Sequence, residues 1–466
     1  MSSGPVQRRL RAALITAAAA VTAAALTAAA PAASVSASPT SPAAATGSGF
    51  TPAIGTHPHY VSAGRPESTG NGQVKFACQL RTAQFCYGPD QIRAAYDIQA
   101  LLDKGVTGKG RTIVIVDAFN PPNVQQELDT FTTTWGLPKA NLTVVNPFGA
   151  GYDPSDPNQS GWAVEISLDV EWSHVVAPDA KLVLVTAKTN SDADIQDAID
   201  YAVDHRLGDV VSQSFGEDER CLARDILVRS HATYARGTAK RMTFTASSGD
   251  DGSAQPTCDG SGYSLAASTP ANDPLNLAVG GTQLFADLTS GAYRSETTWN
   301  ESLTYGAAGG GGFSTIFRKP WYQVGVVPGR FRGEPDVAYN AAIDGGVLTY
   351  VDVLSADVPT GWYRVGGTSA GAPQWAALVA LGAQLAHHSL GLVNDSIYLA
   401  ARVRSVQNYL FHDITTGNNT YTVLDDEGNP TGQVVPGYAA KPGWDAATGF
   451  GSPKANHVVP FLAATN

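Results

Sequence analysis

Short apolar runs alternate with amphipathic stretches along the middle of the chain. Runs of this kind, rich in β-branched residues, are typical of strands that are buried on both faces of a parallel sheet. They lie at residues 112–116, 181–185, 209–211, 242–246 and 275–279. Residues 192–205 instead place their apolar side chains on one face at helical spacing. This alternation predicts an α/β fold with helices flanking a central, mostly parallel sheet.

The segment from Trp162 to Trp172 supports two interpretations. Its apolar residues stand at every second position, which by itself predicts a strand. The segment also carries two carboxylates, Glu165 and Asp169. On a strand they would lie about 13 Å apart, whereas on a helix their Cβ atoms would lie about 6 Å apart and the two groups can share a proton. A solvated acidic edge is the alternative to a functional pair.

Two loops next to predicted apolar strands or helices contain residues that are candidates for catalysis. Ser369 stands between small residues at the start of an apolar, helix-like run, where a helix N-terminus favours developing negative charge. The alternative is a glycine-rich turn that enters a core helix. Asp250 directly follows a predicted strand, at the sheet edge where such folds place their sites. A protonated Asp250 can donate to an oxyanion, but an acidic turn fits the same residues.

A serine nucleophile needs a proton acceptor, and the chain offers two kinds. His174 and His412 are the histidine candidates, and neither stands in a context that separates a base from an ordinary structural histidine. The Glu165 and Asp169 carboxylates are the other candidates. Asp117, at the end of the first predicted strand, either assists the chemistry or caps a turn.

Composition narrows the class of protein. The chain has 466 residues, a net charge of −11 and only 30 Lys and Arg, so it lacks an electrostatic footprint for nucleic acid or anionic lipid.

Residues 1–37 combine early arginines, an Ala-rich apolar run and small residues, which predicts a secretory signal peptide; a membrane anchor is the alternative. Residues 38–86 predict a low-complexity leader or vestigial propeptide. We expect a secreted monomer with no stable membrane association after signal cleavage.

The number of cysteines is consistent with a secreted protein. Cys78, Cys86, Cys221 and Cys258 are even in number, and disulfides persist in oxidising compartments. Three connectivities are possible, and sequence proximity favours joining the first two and the last two. A zinc site is the alternative, but the chain has no Cys-x-x-Cys motif to support it.

The motifs together resemble those of the sedolisin family of serine-carboxyl peptidases, relatives of subtilisin that use Glu in place of the His base. The matching order and spacing run from about Tyr87 to the C-terminus. The matching segments are Glu165-x-x-x-Asp169, Ala177-Pro178-Asp179-Ala180, Ser212-Gln213-Ser214-Phe215-Gly216, Ser248-Gly249-Asp250, Ala278-Val279-Gly280-Gly281-Thr282, Gly311-Gly312-Phe313-Ser314, Pro335-Asp336-Val337 and Gly367-Thr368-Ser369-Ala370-Gly371-Ala372-Pro373.

This resemblance implies a subtilisin-like three-layer fold over residues 87–466 and an endopeptidase that acts on proteins or peptides. It implies that Ser369 is the nucleophile, Glu165 the general base, Asp169 its hydrogen-bonded partner and Asp250 the oxyanion-hole acid. It also places the Glu and Asp on a helix, against the local strand pattern. An ordinary carboxyl titrates near pH ~4, so we expect activity in acid.

The resemblance further implies one structural Ca²⁺ ion near the C-terminus. Carboxylates would come from Asp413 and Asp445, and carbonyl oxygens from Ile414, Lys441 and Gly443, a suitable oxygen shell for this ion. Lys441 departs from the small residue expected at its position, and its ammonium would weaken the ion's binding. The alternative is two turn aspartates. The acidic loop at residues 425–428 lacks EF-hand spacing, and its sequence predicts a plain turn.

Some features depart from the family pattern, and other mechanisms and functions stand as alternatives. The family is usually made with a large folded propeptide, for which the residues between 37 and 87 are too few. An ordinary subtilisin mechanism would use Asp117, His174 and Ser369. A different class of answer is a secreted binding protein on an inactive peptidase scaffold. Tripeptidyl exopeptidase action, which occurs among relatives, is also open.

Overall fold

The computed structural model of the protein describes residues 54–55, 58–69, 74–425 and 427–466. The predicted signal peptide and the first part of the predicted leader lie outside these residues. None of the helices in the described part of the chain has the length and apolar character needed to cross a bilayer.

The central sheet has eight strands, and its core is parallel. Its strands are β3 Thr112–Ala118, β4 Asn141–Val145, β5 Lys181–Ala187, β6 Val210–Gln213, β7 Thr243–Ser247, β8 Asn276–Ala286, β9 Tyr293–Thr298 and β10 Val337–Asn340. They run in the order β9-β8-β7-β6-β3-β5-β4, with β10 parallel to β8 and only β9 antiparallel to its neighbour. The predicted strands and the parallel sheet are confirmed.

Helices cover both faces of this sheet, as the predicted three-layer fold requires. The helices are α1 Pro89–Ala95, α2 Val124–Trp135, α3 Pro157–Val176, α4 Asp192–Asp204, α5 Arg224–Ala239, α6 Gly371–Ala386, α7 Asn394–Ala401, α8 Arg404–Leu410 and α9 Ala455–Thr465. Ile113 and Ile115 of β3 pack in the larger apolar core with α3 and α6, whereas Val114 and Val116 pack in a second core with α4. The alternation follows from the period of two along a strand.

A second sheet of four strands includes part of the predicted leader. Its order is β1-β12-β11-β2, for β1 His59–Gly64, β2 Cys86–Tyr87, β11 Gly346–Val351 and β12 Gly361–Gly366. The remaining strands form two-stranded antiparallel pairs: Glu67–Ser68 with Val74–Lys75, Glu217–Asp218 with Ser268–Thr269, Ala254–Pro256 with Tyr263–Leu265, Asn300–Glu301 with Ala307–Ala308, Gly312–Arg318 with Phe331–Glu334, Phe411–His412 with Ser452–Pro453, and Tyr421–Leu424 with Pro430–Val435. Short helical turns occupy Ala77–Leu80, Gln99–Leu102, Ser302–Tyr305, Trp321–Gln323 and Thr368–Ala370.

The helix α3 resolves the ambiguity between strand and helix. Asp156 caps its start by accepting a hydrogen bond from the Asn158 N–H, and Pro157 occupies the first turn, where its missing N–H costs nothing. From Trp162 onward every residue of the helix is buried. A helix buried on all sides shows no polar face, so the alternation of apolar residues carried no information about its period.

Two disulfides join Cys78 to Cys86 and Cys221 to Cys258, as sequence proximity predicted. The first closes a short loop before β2. The second joins the segment before α5 to the loop that follows Ala254–Pro256. No free cysteine occurs among the described residues.

Candidate active site

Three buried carboxyl groups meet where β3 ends beside α3. Glu165 and Asp169 lie one turn apart on α3, so their side chains share a face of the helix. Asp117, near the end of β3, faces the same layer because it follows Ile113 and Ile115 at the strand period. The side chains of all three are 0% exposed. A cluster that carries up to three negative charges is therefore shielded from bulk water.

The surroundings of this cluster favour protonated carboxyls. Burial raises the pKa of Asp169 well above its ordinary value, and the charges of Asp117 and Glu165 raise it further. Burial likewise raises the pKa of Asp117, with a second contribution from Glu165. Both carboxylate oxygens of Asp117 lack a hydrogen-bond partner among the described residues. The cluster is therefore suited to holding and passing protons in acid.

One hydroxyl orients this cluster. Ser214, just beyond the end of β6, donates its Oγ–H to Asp169 Oδ1 at 2.8 Å. This bond favours the ionised form of Asp169 and so lowers its pKa, against the effect of burial. It also fixes the rotamer of Asp169, which keeps the second oxygen of Asp169 available to its neighbours on α3.

Ser369 lies in a helical turn that leads into α6. The turn spans Thr368–Ala370 and packs against α3, and Ser369 is 5% exposed. Because α6 begins at Gly371, the amide end of its dipole lies beneath the serine and favours negative charge there. The residue before the turn, Gly367, has φ 127° and ψ 154°, a conformation that essentially only glycine adopts.

Asp250 is held against the same turn. Its Oδ1 accepts hydrogen bonds from Thr368 N–H at 2.7 Å and from Thr368 Oγ–H at 2.8 Å. Its backbone carbonyl is anchored by the Ala308 N–H at 2.7 Å. A Cβ atom on Gly367 would lie 2.7 Å from Asp250 Oδ2, so only glycine allows this approach. The Asp250 carboxyl is thus fixed beside the backbone that carries Ser369.

This arrangement can support attack by a hydroxyl on a carbonyl. It offers a hydroxyl at a helix N-terminus, carboxylates that can accept its proton, and a carboxyl group that can donate a hydrogen bond when it is neutral. The structure brings Glu165, Asp169 and Asp117 together on one side. It brings Ser369 and Asp250 together on the other, and α3 packs against the turn that joins them.

Neither histidine candidate belongs to this arrangement. His174 is buried near the end of α3, and its Nε2–H donates to the Pro138 carbonyl at 2.7 Å. Nine residues separate it from Glu165, which is roughly 13 Å along a helix. Burial lowers its pKa to about 4. His412 stacks on Tyr293 with ring centroids 3.7 Å apart, and burial lowers its pKa to about 3.

The residues predicted to hold calcium meet at one turn. Gly443 N–H donates to Asp413 Oδ1 at 3.1 Å, and Lys441 N–H donates to Asp445 Oδ2 at 3.0 Å. Arg404 forms an ion pair with the second oxygen of Asp413. Ile414, adjacent to Asp413, is buried. Within the described ranges, no group of three or more His, Cys, Asp or Glu side chains is clustered as a metal site.

The hydrogen bonds that Ser214 and Thr368 make in the site were not predicted from the sequence. Ser214 was visible in the Ser212-Gln213-Ser214 motif, but nothing in the motif pairs its hydroxyl with Asp169. Thr368 precedes Ser369, yet its two bonds to Asp250 join segments 118 residues apart. The position of Ser214 after a buried strand was the one signal that could have drawn attention to it.

Comparison with known proteins agrees with this fold. Residues 155–451 match the subtilase family. Kumamolisin of Bacillus sp. (strain MN-32) is 33% identical over 383 residues, which are 80% of this chain and 62% of that protein. Sedolisin of Pseudomonas sp. (strain 101) is 29% identical over 379 residues, 78% of this chain and 59% of that protein. The chain thus spans about six tenths of the length of these two relatives.

A solved structure extends the similarity to three dimensions. It is Pseudomonas sedolisin, a serine-carboxyl proteinase, in complex with two molecules of pseudo-iodotyrostatin. It superposes with a TM-score of 0.69 at 29% sequence identity, and the match covers 82% of this chain and 99% of that chain. The predicted subtilisin-like architecture is therefore confirmed.

Proposed function

The chain belongs to the subtilase family, in its sedolisin branch, and we propose that it is an acid-acting serine-carboxyl endopeptidase that hydrolyses proteins or peptides. The observation that carries the proposal is the cluster of Glu165, Asp169 and Asp117, three fully buried carboxyls beside the turn of Ser369. Burying such a cluster costs free energy, and buried carboxyls with shifted pKa values are typical of sites that transfer protons.

In the proposed reaction Ser369 Oγ attacks the carbonyl carbon of the substrate's peptide bond while its proton passes to Glu165. Asp169 shares that proton through the carboxyl pair, and Ser214 keeps Asp169 in place. The tetrahedral oxyanion accepts a hydrogen bond from neutral Asp250. Collapse of this intermediate transfers the proton from the carboxyl pair to the leaving amine and leaves an acyl group on Ser369. Water then attacks the ester by the reverse sequence and releases the acid.

Two features favour this assignment over an ordinary subtilisin mechanism. His174 is engaged with the Pro138 carbonyl, and its lowered pKa makes it a weak base. By contrast, burial and repulsion between neighbouring carboxylates raise the pKa values of Asp117 and Asp169, so the cluster can hold a proton under acidic conditions. Asp250 supports the same pH range, because it must be protonated to donate.

The test is digestion of a denatured protein at about pH 4 by the wild type, Ser369→Ala and Glu165→Gln, followed by sequencing of the fragments. A matched control is Glu171→Gln, since Glu171 is equally buried on α3 but accepts its hydrogen bond from Tyr350 N–H. We expect internal cleavage by the wild type and the control, and losses of about 10³-fold or more in the two site variants. Release of tripeptides alone would show that the protein acts as an exopeptidase and not as an endopeptidase.

We propose in addition that the turn at 441–445 binds one Ca²⁺ ion. The donor set fits in part, because Asp413 and Asp445 converge on the same turn and hard oxygen ligands suit this ion. Arg404 is a competing cation on Asp413, so the ion must displace this guanidinium. In the bound form the two carboxylates and the carbonyls of Ile414, Lys441 and Gly443 would hold the ion and tie this turn to the end of α8.

Thermal denaturation with Ca²⁺ and with a chelator tests this site. We expect Ca²⁺ to raise the Tm of the wild type and to leave the Tm of Asp413→Asn unchanged, because a ligand that binds only the folded state stabilises it. Asp425→Asn is the control, since Asp425 caps a turn in the predicted non-binding acidic loop. Equal Ca²⁺ effects on the wild type and on Asp413→Asn would refute the assignment.

We further propose that the protein is exported through the signal peptide predicted at residues 1–37. The two disulfides support this, because such bonds persist in oxidising compartments. The mass and N-terminal sequence of protein collected outside the producing cells test it. Retention of the uncleaved chain in the cytoplasm would contradict the proposal.

A further inference from the structure

Two buried glutamates lie where the helices α2 and α3 meet the second sheet. Glu127 is on α2 and Glu171 is on α3, and each is 1% exposed. The hydroxyl of Ser167, one turn before Glu171 on α3, donates to Glu127 Oε2 at 3.0 Å. Residues four apart on a helix share a face, so Ser167 and Glu171 lie on the side of α3 that α2 covers. At 100° per residue, this side faces away from the proposed catalytic pair on the same helix.

Both carboxyls hold the edge of β11 and the residue that follows this strand. Tyr350 N–H donates to Glu171 Oε2 at 3.0 Å, and Asp352 N–H donates to Glu127 Oε1. β2 covers this edge only at the first two residues of β11. The glutamates therefore take the backbone donors that an exposed strand edge would offer to another strand.

This contact links the proposed base to the proposed nucleophile. Glu165 is on α3, and β11 pairs with β12, which ends at Gly366, three residues before Ser369. The two buried glutamates thus fasten the helix of the base to the sheet that leads into the catalytic turn. We call the two carboxyls and the two N–H groups that donate to them the carboxyl lock.

The surroundings of the carboxyl lock favour neutral carboxyls. Burial raises the pKa of Glu127 to about 7, with a smaller contribution from the charge of Asp352, and the hydrogen bonds to Glu127 oppose this. Burial also raises the pKa of Glu171 well above its ordinary value, and the charge of Glu127 adds to the effect. The other titratable groups that interact with the two glutamates are Tyr350 and Tyr152, which bring no positive charge. Ionisation of both glutamates would therefore place two repelling charges in the core.

We propose that the carboxyl lock holds the base in register with the nucleophile only while its two glutamates are protonated, and that their ionisation toward neutral pH opens it. The lock itself is a property of the fold, and only its effect on catalysis rests on the proposed peptidase function. It gives the protein an upper pH limit that is separate from the ionisation of the catalytic carboxyls.

The direction and size of the effect follow from Glu127. When the lock opens, Glu127 enters water and its pKa returns from about 7 to 4.5. Its contribution to the closed lock is therefore fully present below about pH 4.5 and is lost as the pH rises through about 7. One pKa unit is a tenfold change in an equilibrium, so opening should increase about tenfold for each pH unit in this window. Ionisation of Glu171 acts in the same direction.

The test is amide hydrogen exchange of the two lock N–H groups, read by mass spectrometry from overlapping fragments that span β11. It uses the Ser369→Ala protein from pH 5 to pH 8, which cannot digest itself. After correction for intrinsic exchange, we expect the protection factor to fall by at least about 10²-fold. Addition of Glu127→Gln and Glu171→Gln together should hold it within about threefold, because an amide has the shape of a protonated carboxyl and does not ionise. Asp129→Asn on the exposed face of α2 is the matched control and should leave the fall unchanged.

A single variant guards against misfolding of the double variant. If the double variant already lacks protection at pH 5, Glu127→Gln alone decides, and its fall should be at least about tenfold smaller than that of the parent protein. In the active protein, the double variant should keep its kcat to a pH at least about half a unit higher than the wild type does. An equal fall in protection in parent and variants, or an unchanged pH profile of kcat, would overturn the proposal. A lock that opens as expected in a protein whose wild type cleaves no peptide would sink the peptidase function alone.

Discussion

Replacement of Gly367 by alanine perturbs the site at the contact between Asp250 and the turn of Ser369. The backbone of Gly367 has φ 127° and ψ 154°, a region that costs other residues about 1–3 kcal/mol. The new Cβ would also lie 2.7 Å from Asp250 Oδ2, a separation that real contacts do not tolerate. Either the Asp250 carboxyl or the turn must move.

Both outcomes disturb the proposed oxyanion donor. Asp250 is positioned by two bonds from Thr368, at 2.7 and 2.8 Å, and a shift of its carboxyl lengthens both. Loss of one oxyanion donor costs about 10²–10³ in kcat. We expect Gly367→Ala to lower kcat by about 10²-fold with KM within about threefold, and to lower the free energy of unfolding by about 1–3 kcal/mol.

The assay is peptide hydrolysis at about pH 4, well below the Tm of each variant. Gly361→Ala is the matched control at the start of β12, the strand that ends just before Gly367. Its nearest neighbour to a new Cβ is the Pro359 carbonyl at 4.0 Å, and its φ is ordinary. It should behave like the wild type. A kcat for Gly367→Ala within about threefold of the wild type would refute the role given to the contact with Asp250.

Two further predictions concern pH. Burial raises the pKa of Glu217 and of Glu334 from 4.5 to about 8, so the folded chain binds more protons than the unfolded chain between these values. The contribution of these two groups to stability is therefore fully present below about pH 4.5 and is lost as the pH rises through about 8. A Tm that increases from about pH 5 to pH 8 would contradict this. Ser214→Ala removes the bond that lowers the pKa of Asp169. It should shift the acidic limb of the pH profile upward and lower kcat by about tenfold, whereas an unchanged profile would exclude an orienting role.

The sequence predicted the sheet well because buried parallel strands leave a compositional signal. Each predicted run became a strand that continues one to several residues past the predicted end, as in β3 Thr112–Ala118, and three of the strands begin one residue later than predicted. It predicted α3 poorly from local pattern, because a helix surrounded by the core has no polar stripe to reveal its period. The resemblance to a family corrected this assignment, and the physics of periodicity did not.

Contacts between distant segments were beyond local reasoning. The Ser214 to Asp169 bond joins residues 45 apart in the chain. Composition also predicted a flexible leader, yet β1 His59–Gly64 pairs along β12, because the edge of β12 offers hydrogen-bond partners that a sequence pattern does not display. The candidate residues were identifiable by type and order, but their orientation depends on neighbours that only the fold supplies.

The identity of the general base is tested most directly by one comparison of kcat/KM at about pH 4. The proteins are the wild type, Glu165→Gln and His174→Ala, assayed with the same peptide substrate. The carboxylate mechanism predicts a fall of about 10³-fold or more in Glu165→Gln and a value within about threefold of the wild type in His174→Ala. The reverse pattern, with Glu165→Gln active and His174→Ala inactive, would contradict it.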